Sequence, residues 1–280
     1  MRGLTAHSDS LSWPVLLARR SLASDGSASY CMNLHTRYLQ QAAWTRDLRS
    51  YLFERAGWRS ARSILEVGCG TGAILRNPVA GQHAGAAPRS HLHGVDHAMG
   101  ALAQCRIHAP SAILAHGDAL ALPYRDGSFD ITYCHFLLLW VQQPLAALRE
   151  MKRVTRGHVL ALAEPDYTAR VDQPADLAPL GRWQSQALRA QGADVSLGSR
   201  LADLFDQAGI RIREAGTVNP WPQAAFTMAD LDAEWMILRE DLADTVSAAE
   251  LERWRRLDAI AHERGERVLY VPTYFAWGQV

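Results

Sequence analysis

Lysine is nearly missing from this chain: of 29 basic side chains only Lys152 is a lysine, so chemistry that needs a side-chain amine has one candidate. An excess of charge is missing too. The 29 acidic residues balance the 29 basic ones, which removes the basic stripe that nucleic-acid binding needs. No apolar run approaches the ~20 residues of a membrane span. The four cysteines, Cys31, Cys69, Cys105 and Cys134, include no CxxC pair. Their scatter argues against a disulfide scaffold and a metal site, and it fits the reducing cytoplasm. There is no internal repeat. The first thirty residues lack sustained periodicity, and Trp13 to Ala18 is too short for a signal-peptide core, so 1–30 is expected to be a flexible tail.

What remains is enough for one core, since apolar residues make up 48% of 280. From Asn33 to Ala56, Leu34, Tyr38, Leu48, Tyr51 and Leu52 recur at helical spacing, and Gly57 can end the helix. Strands are read at 63–67, 91–96, 112–116, 130–134 and 158–163, with helical stretches such as 143–155 between them. That alternation is the pattern of a parallel sheet with crossover helices. Later strands are read at 210–218 and from Thr273 onward. Among them lie amphipathic helices: one at 177–191, a short one capped by Ser199, and two opened by capping boxes at Thr227/Asp230 and Ser247/Glu250.

The informative segment is Glu66-Val67-Gly68-Cys69-Gly70-Thr71-Gly72. A strand ends, glycines turn the chain, and a helix is expected to start. Glycine permits positive φ and close approach of backbone to a ligand, and a helix N-terminus offers free N–H groups. With Ala73 the segment also matches the dinucleotide pattern GxGxxG/A. Three features favour a different ligand. Glu66 stands where dinucleotide folds usually carry an apolar residue, and a buried carboxylate there suits a ligand ammonium. Gly117-Asp118-Ala119 follows the third strand, placed to meet an adenine edge. Two strands after the fifth make the sheet longer than the dinucleotide unit. A nicotinamide oxidoreductase has no YxxxK motif here, since Lys152 lies on a polar helix face. A turn that binds nothing stays open, as do Asp96 as a helix cap and Asp118 as a turn residue.

Ile64 to Gly72 resembles motif I of the class I S-adenosylmethionine-dependent methyltransferases. Pro123 to Asp130 and Pro144 to Val154 resemble that family's approach to strand four and its next helix. The similarity covers 64–166 well and the rest in outline. It implies S-adenosyl-L-methionine as cofactor, held by Glu66, Gly68, Cys69, Gly70 and Gly72. Asp96 would bind the ribose hydroxyls with His97 beside it, Asp118 and Ala119 would meet adenine, and Tyr133 would close the end of strand four. The implied fold is α/β: a Rossmann-like, seven-stranded, mostly parallel sheet with helices on both faces and an antiparallel last strand. A helical cover is inserted after strands five and six. The whole of 31–280 is expected as one domain, with a helical segment 31–62, a cofactor core 63–170 and a cover at 171–209 and 220–266. Gly72 to Asp96 is longer than the family's usual gap, and Asn77-Pro78 interrupts it, so the first crossover helix is expected to be short.

In open α/β sheets the ligand crevice lies beyond the carboxyl ends of the strands. That rule selects His135 and Phe136 after strand four, and Glu164, Asp166 and Tyr167 after strand five. His135 is the candidate general base, against a structural histidine. Asp166 and Tyr167 are expected to orient the acceptor or cap a turn. Trp140, Trp183, Trp221 and Trp235 are candidates to line an aromatic cavity, with core packing as the alternative. Cys134-His135-Phe136-Leu137 replaces the Asn-Pro-Pro-Tyr loop of relatives that methylate adenine bases or glutamine amides. The expected partner is therefore a small-molecule acceptor at its oxygen, nitrogen or carbon, with no nucleic acid and no membrane. A monomer or homodimer is expected. A cofactor-binding protein that does not methylate, such as a cyclase or a regulatory binder, remains the other reading.

Overall fold

The computed structural model describes residues 27–78, 91–218, 228–243 and 245–280. Residues 1–26 of the expected tail, Trp221 and the Thr227 cap lie outside them, whereas residues 27–30, expected in the tail, are helical and open the first helix.

Seven strands form the main sheet, in the order β3-β2-β1-β4-β5-β9-β7. They are β1 (Ser63–Val67), β2 (His91–Asp96), β3 (Ile113–His116), β4 (Phe129–Cys134), β5 (Thr155–Pro165), β7 (Arg211–Thr217) and β9 (Thr273–Gln279). The first five pair in parallel, and β9 runs antiparallel between β5 and β7. Two short strands that the sequence pattern missed, β6 (Val171–Gln173) and β8 (Val268–Tyr270), pair antiparallel as a separate ribbon. Three residues each are too few to show a period.

The central strands read as continuous apolar runs because both faces are covered. Alternation sorts their side chains. Leu65, Val67, Cys134, Val159 and Ala161 join one cluster, with Leu148 and Met151 of α4 (Pro144–Val154) and Leu204 and Phe205 of α6 (Leu201–Gln207). Ile64, Ile131, Tyr133, Leu160 and Leu162 face the other way, onto Leu52 and Phe53 of α2 (Arg46–Arg55). Glu66 shares the parity of Ile64, so its carboxylate also points toward α2.

The single helix expected between Asn33 and Ala56 is two. α1 (Ser27–Trp44) stops and α2 starts at Thr45, whose φ of −106° and ψ of 8° leave the helical region. Apolar spacing persists across the break, so periodicity does not reveal it. Ser199 does not cap α6: it lies inside a 3-10 turn, Gly198–Arg200, and its hydroxyl donates to Ser196 O. Ser247 does cap its helix, accepting from Glu250 N at 3.2 Å.

The later helices, α5 (Ala178–Ala190), α7 (Met228–Leu242) and α8 (Ala248–Glu263), share a cluster of their own. Leu180, Leu231, Trp235, Leu238 and Leu251 form its centre, with Trp183 and Trp254 edge-to-face at 5.5 Å. Leu188 at the end of α5, with Val195 and Leu197 after it, belongs to the main core instead. Among the described residues no helix is long and apolar enough to cross a membrane.

Candidate functional site

The glycine loop is built on three residues at positive φ: Gly68 (72°), Gly70 (50°) and Gly72 (81°). Gly68 N and Cys69 N both donate to Val95 O, which binds the end of β1 to the end of β2. The helix expected after Gly72 does not form. Residues 71–76 make turns, with a single helix-type bond from Arg76 N to Gly72 O, and Pro78 follows. Positive φ at Gly72 and the proline's restriction on Asn77 bracket a stretch too short to nucleate. The dipole of a following helix therefore plays no part at this loop.

Asp96 is buried at the end of β2. Its Oδ2 accepts from Gly70 N at 2.8 Å and its Oδ1 from Ala98 N at 2.9 Å; His97 Nδ1 lies 3.6 Å from Oδ1. A carboxylate has about four acceptor positions, so two remain for a ligand. Asp118 Oδ1 accepts from Leu120 N at 2.9 Å, an ordinary Asx turn. Ala119 lines a cavity of about 20 Å³ with Val67, Gly68, Val95, Asp96, His97, Gly117 and Leu137. Leu137 packs closely against the loop: a Cβ on Gly68 would lie 2.6 Å from its Cδ1.

On the α2 side the polar groups are linked. Tyr133 O–H donates to Glu66 Oε2 at 3.0 Å, and both side chains are buried. Burial pushes the Glu66 carboxyl well above the usual range, against that hydrogen bond and the Arg49 charge. The other carboxyl oxygen of Glu66 takes no donor among the described residues. Arg49 is buried on α2 and donates to Thr45 Oγ1 at 2.8 Å and to Ala42 O. Thr45 Oγ1 in turn lies 3.0 Å from His135 Nε2. Burial, then Arg49, hold the His135 pKa well below its ordinary 6.5.

From α1, His35 and Tyr38 close over the loop. His35 Nδ1 is 2.7 Å from Thr71 Oγ1, and its ring stacks on His108 at 3.5 Å. A Cβ on Gly70 would lie 3.0 Å from the Tyr38 ring.

Beyond β4 and β5 the expected residues divide. Phe136, at φ 51°, holds a left-handed conformation rare for an aromatic residue and turns edge-on to His135. Glu164 is fully buried and accepts from Leu137, Leu138 and Leu139 N at 2.9 to 3.1 Å. It thus fixes the segment carrying Leu137 and Trp140. Asp166 accepts from Thr168 N at 2.9 Å and caps the Tyr167–Ala169 turn. Tyr167 is half-buried; burial raises its pKa while Arg37 of α1 pulls it down. Trp183 and Trp235 pack inside the cluster shared by α5, α7 and α8, where Trp235 Nε1 donates to Asp258 Oδ2 at 2.7 Å. Cys69 turns its thiol toward Leu75 and Cys105, so only its backbone faces the loop. Among the described residues no three His, Cys, Asp or Glu side chains converge on a metal-sized site.

Residues 65–162 match the sequence profile of a family described as a methyltransferase domain. Over 202 residues the chain is 32% identical to a demethylmenaquinone methyltransferase from Roseiflexus castenholzii, covering 63% of this chain and 79% of that protein. The chain belongs to the class I S-adenosylmethionine-dependent methyltransferases. A malonyl-[acyl-carrier protein] O-methyltransferase from Erwinia pyrifoliae is 32% identical over 163 residues, 56% of this chain; the match spans 60% of that relative's length. A geranyl diphosphate methyltransferase solved with S-adenosylmethionine shares the fold, with a TM-score of 0.52, 11% identity and 92% of each chain covered.

The fold gathers Glu66, Gly68, Gly70, Asp96 and Tyr133 at the ends of the neighbouring strands β1, β2 and β4. Sequence reading missed the α1–α2 contribution: His35, Tyr38, Thr45 and Arg49. Arg49 left one trace, a basic residue one position from Leu48 on an otherwise apolar helix face. Nothing local marks His35 or Thr45.

Proposed function

We propose that this chain transfers a methyl group from S-adenosyl-L-methionine to a small organic acceptor, in the cytoplasm. The observation that carries the reading is Glu66: a buried carboxylate beside the glycine loop, with one oxygen on Tyr133 and the other unpartnered. A ligand ammonium supplies the missing donor and stabilises the ionised form that burial opposes. Gly68 and Gly70 would bring backbone against the ligand, and Asp96 would take the ribose hydroxyls on its remaining acceptor positions. A dinucleotide is disfavoured because residues 71–78 lack the helix N-terminus that holds a pyrophosphate. The 20 Å³ cavity is far below the 300–1,000 Å³ of a typical ligand pocket, so a lining side chain such as Leu137 would have to move aside on binding.

When bound, the cofactor supplies an electrophilic methyl on a sulfonium. The chain's part is to orient the acceptor, exclude water and hold protons in place. The acceptor would enter beyond β4 and β5, between His135, Phe136 and Tyr167. The similarity to a malonyl-[acyl-carrier protein] O-methyltransferase supports oxygen as the acceptor atom.

The test is direct. S-adenosylhomocysteine should raise the melting temperature by several degrees, and NAD or NADP should leave it unchanged. Stabilisation by NAD without S-adenosylhomocysteine would overturn the cofactor reading. Binding with no label ever transferred from methyl-labelled cofactor, across acceptor panels, would favour a binder that does not methylate.

A further inference from the structure

The hydrogen bonds at the α1–α2 break bear on where His135 keeps its proton. Thr45 Oγ1 is buried among three polar neighbours: Arg49 Nη1 at 2.8 Å, His135 Nε2 at 3.0 Å and Ala42 O at 3.5 Å. A guanidinium only donates, so Thr45 Oγ1 accepts from Arg49. The threonine has one hydrogen to give, and two acceptors are in reach. Ala42 O is the farther one and already receives Arg49 Nη1. His135 Nε2 is nearer and has no other donor. Two arrangements satisfy these contacts: the hydroxyl on Nε2, or Nε2–H on Thr45 Oγ1 with the hydroxyl on Ala42 O; the shorter contact, 3.0 Å against 3.5 Å, favours the hydroxyl on Nε2. A neutral imidazole carries one lone-pair nitrogen and one N–H, so in that arrangement Nδ1 carries the hydrogen. Nδ1 has no protein partner among the described residues. The guanidinium behind Thr45 also opposes a second proton on the ring.

We propose that Thr45 and Arg49 are positioning residues that lock His135 as the Nδ1–H tautomer, so that it presents a neutral hydrogen-bond donor to the acceptor rather than a base. An N–H in that place recognises a lone-pair oxygen, best one bearing negative charge, such as a carboxylate or an enolate. An acceptor of that class arrives already ionised and needs no base at His135. An amine or a neutral alcohol, which must lose a proton, fits poorly. This rests on the acceptor entering beyond β4.

The experiment is ¹⁵N NMR of the full chain with labelled histidine, His135 being assigned by its loss in His135→Gln. The expected result is Nδ1 in the protonated range and Nε2 in the lone-pair range, unchanged from pH 8 to pH 6. Thr45→Val should bring back a mixture of tautomers and raise the titration midpoint of His135. Thr45→Ser, which keeps the hydroxyl, should restore the wild-type pattern and serves if the valine variant unfolds. Nε2–H in the wild type, or wild-type signals in Thr45→Val, would overturn the proposal. A wild type that fails to bind S-adenosylhomocysteine would sink the methyltransferase reading instead, and the tautomer would still be decided by the same spectra.

Discussion

At the scale of single residues, the site depends on which partners a polar side chain already has. Asp96 spends one oxygen on Gly70 N and the other on Ala98 N, so it holds the glycine loop whatever it does toward the proposed ligand. Asp96→Ala should weaken S-adenosylhomocysteine binding by about 1.5–3 kcal/mol, the worth of hydrogen bonds to a charged group, roughly ten- to hundredfold in Kd. Isothermal titration calorimetry reads it, and affinity equal to wild type would remove Asp96 from the site. Asp118 differs in kind. Its carboxylate is committed to a turn, so its contribution to adenine would come from the backbone it shapes.

Among the elements, the β6–β8 ribbon and α8 are tied together by a buried ionic chain rather than by strand length. Asp172 of β6 pairs with Arg170 at 2.7 Å and with Arg267 at 2.9 Å, and Arg267 also pairs with Asp258 of α8. All four side chains are at most 5% exposed, so each charge depends on its partners. Asp258→Ala leaves Arg267 with one carboxylate and Trp235 with no acceptor. The expected cost is about 3 kcal/mol, the lower end for breaking a buried pair, because Asp172 remains. Urea denaturation should show it as a lowered midpoint. A loss below about 1 kcal/mol would mean that the chain contributes orientation rather than stability.

For the whole molecule, two kinds of buried titratable group pull stability in opposite directions with pH. Burial pushes the Glu164 carboxyl up to about 7, against three backbone N–H donors. The folded pKa is raised, so its stabilisation is complete below the ordinary 4.5 and is lost as pH rises through about 7. His35 is held down to about 4 by burial and by His108. Its folded pKa is depressed, so stability is complete above the ordinary 6.5 and is lost as pH falls toward 4. Glu164→Gln removes only the first effect. Measured by urea denaturation, the stability of that variant relative to wild type should improve from pH 5 to pH 8, by at most about 1.4 kcal/mol per unit. A constant difference would show that the three N–H donors outweigh burial and keep Glu164 ionised throughout.

The amino-acid sequence by itself determined the sheet and the glycine loop. Apolar runs at β1, β4 and β5 bury both faces wherever they are placed, and glycines at 68, 70 and 72 allow the same positive-φ turn in any setting. Those are local properties, so they survive in a one-dimensional reading. The Ser247 cap is legible for the same reason. What only the tertiary structure decided is which polar groups meet. Thr45 and His135 are 90 residues apart, and His35 and Thr71 are 36 apart. Whether Trp235 faces a cavity or Asp258 depends on how α7 rolls against α8, and apolar periodicity is equally satisfied by either. A hydrogen bond needs a particular atom within about 3 Å, while burial needs only an apolar neighbour of any kind. Pattern therefore predicts the core, and only the packed chain assigns the partners.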